Sequence, residues 1–148
     1  MPVRMEESER FFTETAVLIA VQVPQAQLER VQVAVEKAHT LAYGNYDRVS
    51  FATAPGVQRF RALGTGRNAA TAGAVTVPCV ELRFTAVADA AALTRIVTAI
   101  YGVHPYEEPV IHMVPVLRTR HVRGMDEDNP MRFWNSPPED WVPEAHRG

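Results

Sequence analysis

The chain has 148 residues, 47% of them hydrophobic and 22% charged, which suits one soluble globular domain with a single core and is too short for two ordinary ones. Its 15 Lys and Arg against 17 Asp and Glu give a formal net charge of -2, which excludes the strong field that nucleic acid or an anionic membrane would require. The single cysteine, Cys79, has no internal disulfide partner, Met1 to Glu14 is charged and lacks the apolar centre of a signal peptide, and the longest strongly apolar run, Ala16 to Val21, falls far short of the roughly 20 residues that span a bilayer, so a reducing cytoplasm is expected.

Residues 1–14 are mostly polar, carry no sustained period and read as a flexible lead. Thr15 to Val23 is β-branched and apolar on both faces, which predicts a central strand covered on each side and ended by Pro24. From Gln25 to Thr40, Leu28, Val31, Val35 and Ala38 share one helical face, predicting the first helix. A loop follows at Ala42-Tyr43-Gly44-Asn45-Tyr46. A second strand begins near Tyr46, and Arg48 to Thr53 alternates. Val57 to Leu63 alternates again, and Ala54-Pro55-Gly56 between them is turn chemistry, so a short antiparallel hairpin is expected. Gly64 to Val77, rich in Gly, Ala and Thr, reads as an irregular connector.

Pro78 to Val87 sets Val80, Leu82, Phe84 and Ala86 against Cys79, Glu81, Arg83 and Thr85, the pattern of a half-buried strand. Asp89 stands where an N-cap belongs, Leu93, Ile96, Val97 and Ile100 form an apolar helical face, and Gly102 is placed to close that helix. Pro109 to Leu117 is the last strand. This order predicts an α+β, ferredoxin-like fold for residues 15–117: an antiparallel sheet with two helices on one face and the other face open to a partner. Residues 118–148 form an irregular tail of prolines and charges without a core of its own, whose Trp134 and Trp141 are expected to pack against the domain or a neighbouring subunit.

The densest chemistry lies where the second helix meets the last strand: His104, Tyr106, Glu107 and Glu108 are interleaved with Pro105 and Pro109, which stiffen the turn. An imidazole and two carboxylates can ligate a divalent metal ion or a polar molecule, which makes His104, Glu107 and Glu108 candidate ligands. On the structural alternative, His104 and Tyr106 lock the turn by hydrogen bonding and packing, while the glutamates bond to backbone amides or to a neighbour's arginine. A third reading makes Glu107 or Glu108 a general base, which requires burial to raise its pKa. Gly44 and Asn45 supply a positive φ or a ligand contact. Gly64-Thr65-Gly66-Arg67-Asn68-Ala69 imitates a phosphate loop but lacks the following apolar helix. Cys79 reads as a structural thiol, and His112, among apolar neighbours, as a satisfied core or interface histidine.

At Tyr43-Gly44-Asn45-Tyr46-Asp47-Arg48-Val49-Ser50-Phe51 and at His104-Pro105-Tyr106-Glu107-Glu108-Pro109 the chain resembles the insert domain of the YqfO-type proteins of the Nif-three-like family. The second motif, continued by Ile111-His112-Met113-Val114-Pro115-Val116, is also similar to the last strand of the CutA proteins. The resemblance runs from about Thr15 to Leu117 and implies the CutA and PII-like superfamily, whose ferredoxin-like protomers assemble as trimers through their sheets. It thus implies a homotrimeric, non-enzymatic binding or regulatory module for a small ligand or protein partner. Ligand clefts between subunits would be lined by Gly44, Asn45, Tyr46, His104, Tyr106, Glu107 and Glu108, and the alternative is a CutA-type divalent-metal protein. In full-length Nif-three-like proteins the dinuclear metal site, and any hydrolase activity, lies in flanking domains without a counterpart in these residues. PII regulators carry a long loop between the second and third strands, where only the turn at Ala54-Pro55-Gly56 is expected here. Glu107 and Glu108 occupy the turn that meets ATP phosphates in PII, and would repel phosphate unless a cation bridged them.

Overall fold

The structure is a computed structural model that describes residues 3–137 and 141–147. Among these residues the chain forms β1 (Phe11–Val23), α1 (Leu28–Ala38), β2 (Phe51–Ala52), β3 (Gly56–Phe60), β4 (Val75–Ala86), α2 (Ala90–Val103) and β5 (Ile111–His121). It divides into two compact units, Glu14–Arg118 and the two chain ends up to Thr13 and from Thr119.

The larger unit has the expected α+β plan. Its sheet runs β2-β4-β1-β5, with β3 also paired to β4, and β4 lies antiparallel to β1, β2 and β3. Val17, Ile19, Val21 and Val23 of β1 meet Val80, Leu82, Phe84 and Ala86 of β4 in one core, which Val31 and Val35 of α1 and Ile96 and Ile100 of α2 complete. Each fully buried Ile or Leu here contributes about 1.5–3 kcal/mol. The alternate residues of β1, Leu18, Ala20 and Gln22, are only half-buried, so this central strand is covered on one face rather than two.

The helices form for local reasons. Asp89 caps α2, its Oδ2 accepting the Ala92 N–H at 2.8 Å. The helix ends at His104, not at Gly102: Pro105 drives the preceding residue to φ -72° and ψ 135°, while the His104 N–H still reaches Ile100 O at 2.9 Å.

The expected hairpin around Ala54-Pro55-Gly56 is replaced by something else. Phe51 and Ala52 pair with Arg83 and Leu82, and Gly56 to Phe60 pair with Cys79 to Val75, so β2 and β3 run in the same direction along one edge of β4. Thr53, Ala54 and Pro55 stand opposite Val80 and Glu81, which makes the supposed turn a bulge in one edge strand. Pro55 is tolerated there because a bulge asks no N–H of it, and the Thr53 side chain takes part instead, its Oγ1 accepting the Glu81 N–H at 2.9 Å. The chain reverses later, between Phe60 and Val75, so the long loop between the second and third sheet positions that was expected to be missing is present. Strand β4 starts at Val75 rather than Pro78, and its last β1 pair is Val80 with Val23. Residues 75–79 therefore have β3 as their partner and form with it an arm beyond the end of β1.

Strand β1 begins at Phe11, inside the segment read as a flexible lead, and β5 continues to His121, four residues past Leu117. In the smaller unit the Val122 N–H donates to Arg10 O at 3.0 Å. Asp126, at φ +66°, gathers Arg10 Nη2 at 2.5 Å, Arg132 Nη2 at 2.6 Å and Asn129 Nδ2 at 2.9 Å on its carboxylate. The Phe133 ring lies 5.1 Å from Trp141 and 4.7 Å from His146, and Trp134 Nε1 donates to Glu127 O at 2.8 Å. The tail thus has local packing that its composition did not suggest, although Trp134 remains 63% exposed.

Candidate functional site

His104 is the buried centre of the turn between α2 and β5, 8% exposed. Its Nδ1 lies 3.1 Å from the Tyr106 N–H, which can only donate, so the ring proton sits on Nε2 and is donated to Gln22 O of β1 at 2.7 Å. The Tyr106 ring packs against the imidazole at a centroid distance of 4.9 Å. Burial, with Cys79 nearby, pushes the Tyr106 phenol above its ordinary value and keeps it protonated. Both imidazole nitrogens are engaged, so neither is available to a metal ion without breaking a bond that holds the turn. Among the described residues no group of three or more His, Cys, Asp or Glu side chains is arranged to hold a metal ion.

The two glutamates are exposed. Glu107 reaches across to the loop after β3, where both carboxylate oxygens accept the Arg67 N–H, at 3.1 and 3.2 Å. This is the glycine-bearing loop that imitates a phosphate loop, and what it holds is a carboxylate of the same chain. Sequence reasoning allowed the glutamates a backbone amide as partner but did not identify Arg67, because 40 residues separate the two and the only signal was the unexplained Gly64-Thr65-Gly66 spacing.

The motif at Tyr43 to Phe51 opens with a tight turn. Tyr43 and Tyr46 exchange backbone hydrogen bonds at 2.7 and 3.2 Å around Gly44, whose φ of +64° suits glycine, and the Tyr46 side chain is 74% exposed. Arg118 lies over the Tyr43 ring at 5.0 Å and holds Glu14 at 2.8 Å, which fixes this turn near the Glu14 end of β1. His104 is fixed at the Gln22 end. Arg118 also donates to Thr85 Oγ1, and Thr85 pairs with Leu18, so at about 3.3 Å per residue the two motifs stand about 13–26 Å apart along β1. Nearby, a hollow of about 190 Å³ lies along the bulge, lined in part by Gln22, Thr53, Gln58, Cys79 and Glu81. Burial, with the Glu81 charge, pushes the Cys79 thiol up, so it stays protonated and unreactive.

Sequence reasoning also passed over His39. Its Nδ1 accepts the Leu41 N–H at 2.9 Å and thereby supports a buried leucine held at φ +51°.

No family model matches the sequence, and no curated protein matches it. Solved structures do. A Bacillus cereus protein related to NIF3 superposes with a TM-score of 0.59 at 24% identity, over 71% of this chain and 26% of that one. The periplasmic divalent cation tolerance protein CutA of Archaeoglobus fulgidus matches at 13% identity over 70% and 84% of the two chains, with a TM-score of 0.51. CutA of the bacterium Xylella fastidiosa matches at 20% identity over 68% and 83%, with a TM-score of 0.51. The match thus spans about a quarter of the NIF3-related protein and more than four fifths of each CutA chain. At these identities the likeness is one of architecture: the chain has the CutA-like α+β fold, which is also found within a NIF3-related protein.

Proposed function

We propose that this domain is a non-enzymatic binding or regulatory module that works as a homotrimer, with a small ligand held where the Gly44 to Tyr46 turn of one copy meets the His104 to Glu108 turn of the next. The observation that carries the reading is the separation of the two turns along β1, which leaves a shared site to neighbouring copies. The sheet supplies a reason to assemble. On the face away from the helices, Ala20 of β1 pairs with Arg83, which pairs with Phe51, and the Phe51 side chain is 63% exposed. Covering such a face contributes roughly 25 cal/mol per Å² of apolar area.

Native mass spectrometry of untagged protein tests the assembly and any retained ligand together. The expected spectrum is a trimer carrying a small molecule, converted to monomer by Phe51→Asp. A stable wild-type monomer at micromolar concentration overturns the reading. A retained divalent ion favours instead the activity named for the Archaeoglobus protein, with His104, Glu107 and Glu108 rearranged to bind it.

A further inference from the structure

The loop between β3 and β4 is tied at two places. At its neck the Thr71 N–H donates to Ala62 O at 3.1 Å and the Ala62 N–H donates to Thr71 Oγ1 at 3.1 Å, closing a lobe of residues 63–70. Gly64 turns the lobe at φ +84°, with Ala70 packed against it. At the tip, the Arg67 N–H is given to Glu107. Gly66 has no left-handed backbone to explain it; what it supplies is space. A Cβ there would stand 2.6 Å from Glu107 Oε1 and 2.9 Å from Oε2. The carboxylate therefore lies directly against the glycine Cα, and a side chain at position 66 would make it shift from this position.

We propose that residues 63–70 form a strap that closes onto the turn between α2 and β5 and is latched by Glu107 in the notch over Gly66. With the latch closed, the Glu107 oxygens are committed to the Arg67 amide and the arm is tied to the turn. With it open, the lobe pivots on the Ala62–Thr71 neck, and the Glu107 carboxylate is freed to meet a ligand or partner. The strap belongs to the single chain and does not depend on the trimer proposed above.

Trypsin reads the latch directly, since the bond after Arg67 lies within it. Gly66→Ala pushes the carboxylate out of the notch without altering any charge, and Glu107→Ala removes the acceptor. Each is expected to raise the initial rate of native-state cleavage after Arg67 roughly fivefold, as loss of one charge-assisted hydrogen bond in a solvated loop implies. Cleavage after Arg30 in α1 should stay unchanged, and the double variant should match either single. Hydrogen exchange at the Arg67 amide should accelerate in step. Unchanged cleavage in either single variant, additive effects in the double, or a parallel rise at Arg30 overturns the latch.

Discussion

Replacing His104 with alanine separates a turn built for stability from one built for a ligand. In the structure the imidazole bridges Gln22 O and the Tyr106 N–H and packs on the Tyr106 ring. Removing it deletes two hydrogen bonds worth about 1 kcal/mol each, with an added penalty where a partner is left unsatisfied. The lost ring contact costs about 0.5–1.5 kcal/mol more. The sum, about 2–4 kcal/mol, is a large share of the roughly 5–15 kcal/mol that holds a domain folded. For a chain of this size it corresponds to a fall in Tm of about 6–12 °C. Urea unfolding of wild type and His104→Ala, each with chelator and with excess zinc, is the assay. A lower midpoint in the variant, by the same amount in both media, is expected. An unchanged midpoint in chelator, coupled with a loss of zinc stabilisation, would refute the structural role and show that the imidazole is kept for a metal.

His39 gives a pH dependence. Burial first, then Arg95 and Arg118, hold its pKa below 6.5, so the folded chain favours the neutral ring. Its contribution is fully present above about pH 6.5 and is lost as pH falls through the depressed folded value. His39→Asn can accept the same N–H two residues on without titrating, so its Tm should vary less with pH across that window; parallel curves for the two proteins exclude the assignment. In the smaller unit, Asp126→Ala should speed proteolysis of residues 122–136 and leave the unfolding of residues 14–118 unchanged. Its carboxyl is held below 3.8, first by the Asn129 hydrogen bond and then by Arg10, so acid should loosen the same segment as the pH falls through the depressed value. Asp89→Ala removes the cap of α2 and should cost about 1 kcal/mol in urea unfolding; no loss means that another acceptor reaches the Ala92 N–H.

The core was legible because periodicity and burial agree in it. The alternation of Val80, Leu82, Phe84 and Ala86 and the stripe of Leu93, Ile96 and Ile100 read directly as buried faces. The edge was not. Proline and glycine mark a bulge as readily as a turn, and what decides between them is the partner strand. Strand β4 offers a ladder from Val75 to Arg83 that a chain reversing at Pro55 would leave largely unpaired. The candidate site was legible as chemistry and not as geometry. His104, Tyr106 and Glu107 were singled out together, yet the Gln22 carbonyl and the Arg67 amide that engage them are backbone groups, which leave no trace in residue identity.

The turn at residues 104–107 makes one contact to β1 and one to the loop after β3, and the two joints differ in strength. Pro105 fixes His104 in an extended conformation that ends α2 and lets the ring reach the Gln22 end of β1. Glu107, three residues on, points outward to the arm. The first joint is buried, and breaking it strands polar groups away from water; the second is exposed, and water replaces whatever it loses. Variants at the two positions should accordingly leave different signatures. His104→Ala should lower the Tm and raise cleavage after Arg30 and Arg67 alike, because it loosens the whole unit. Glu107→Ala should leave the Tm within about 1 kcal/mol of wild type in free-energy terms and expose Arg67 selectively. If Glu107→Ala lowers the Tm as far as His104→Ala does, the arm is part of the domain's cooperative core, and the contact at Gly66 is a structural brace with no capacity to open in the folded state.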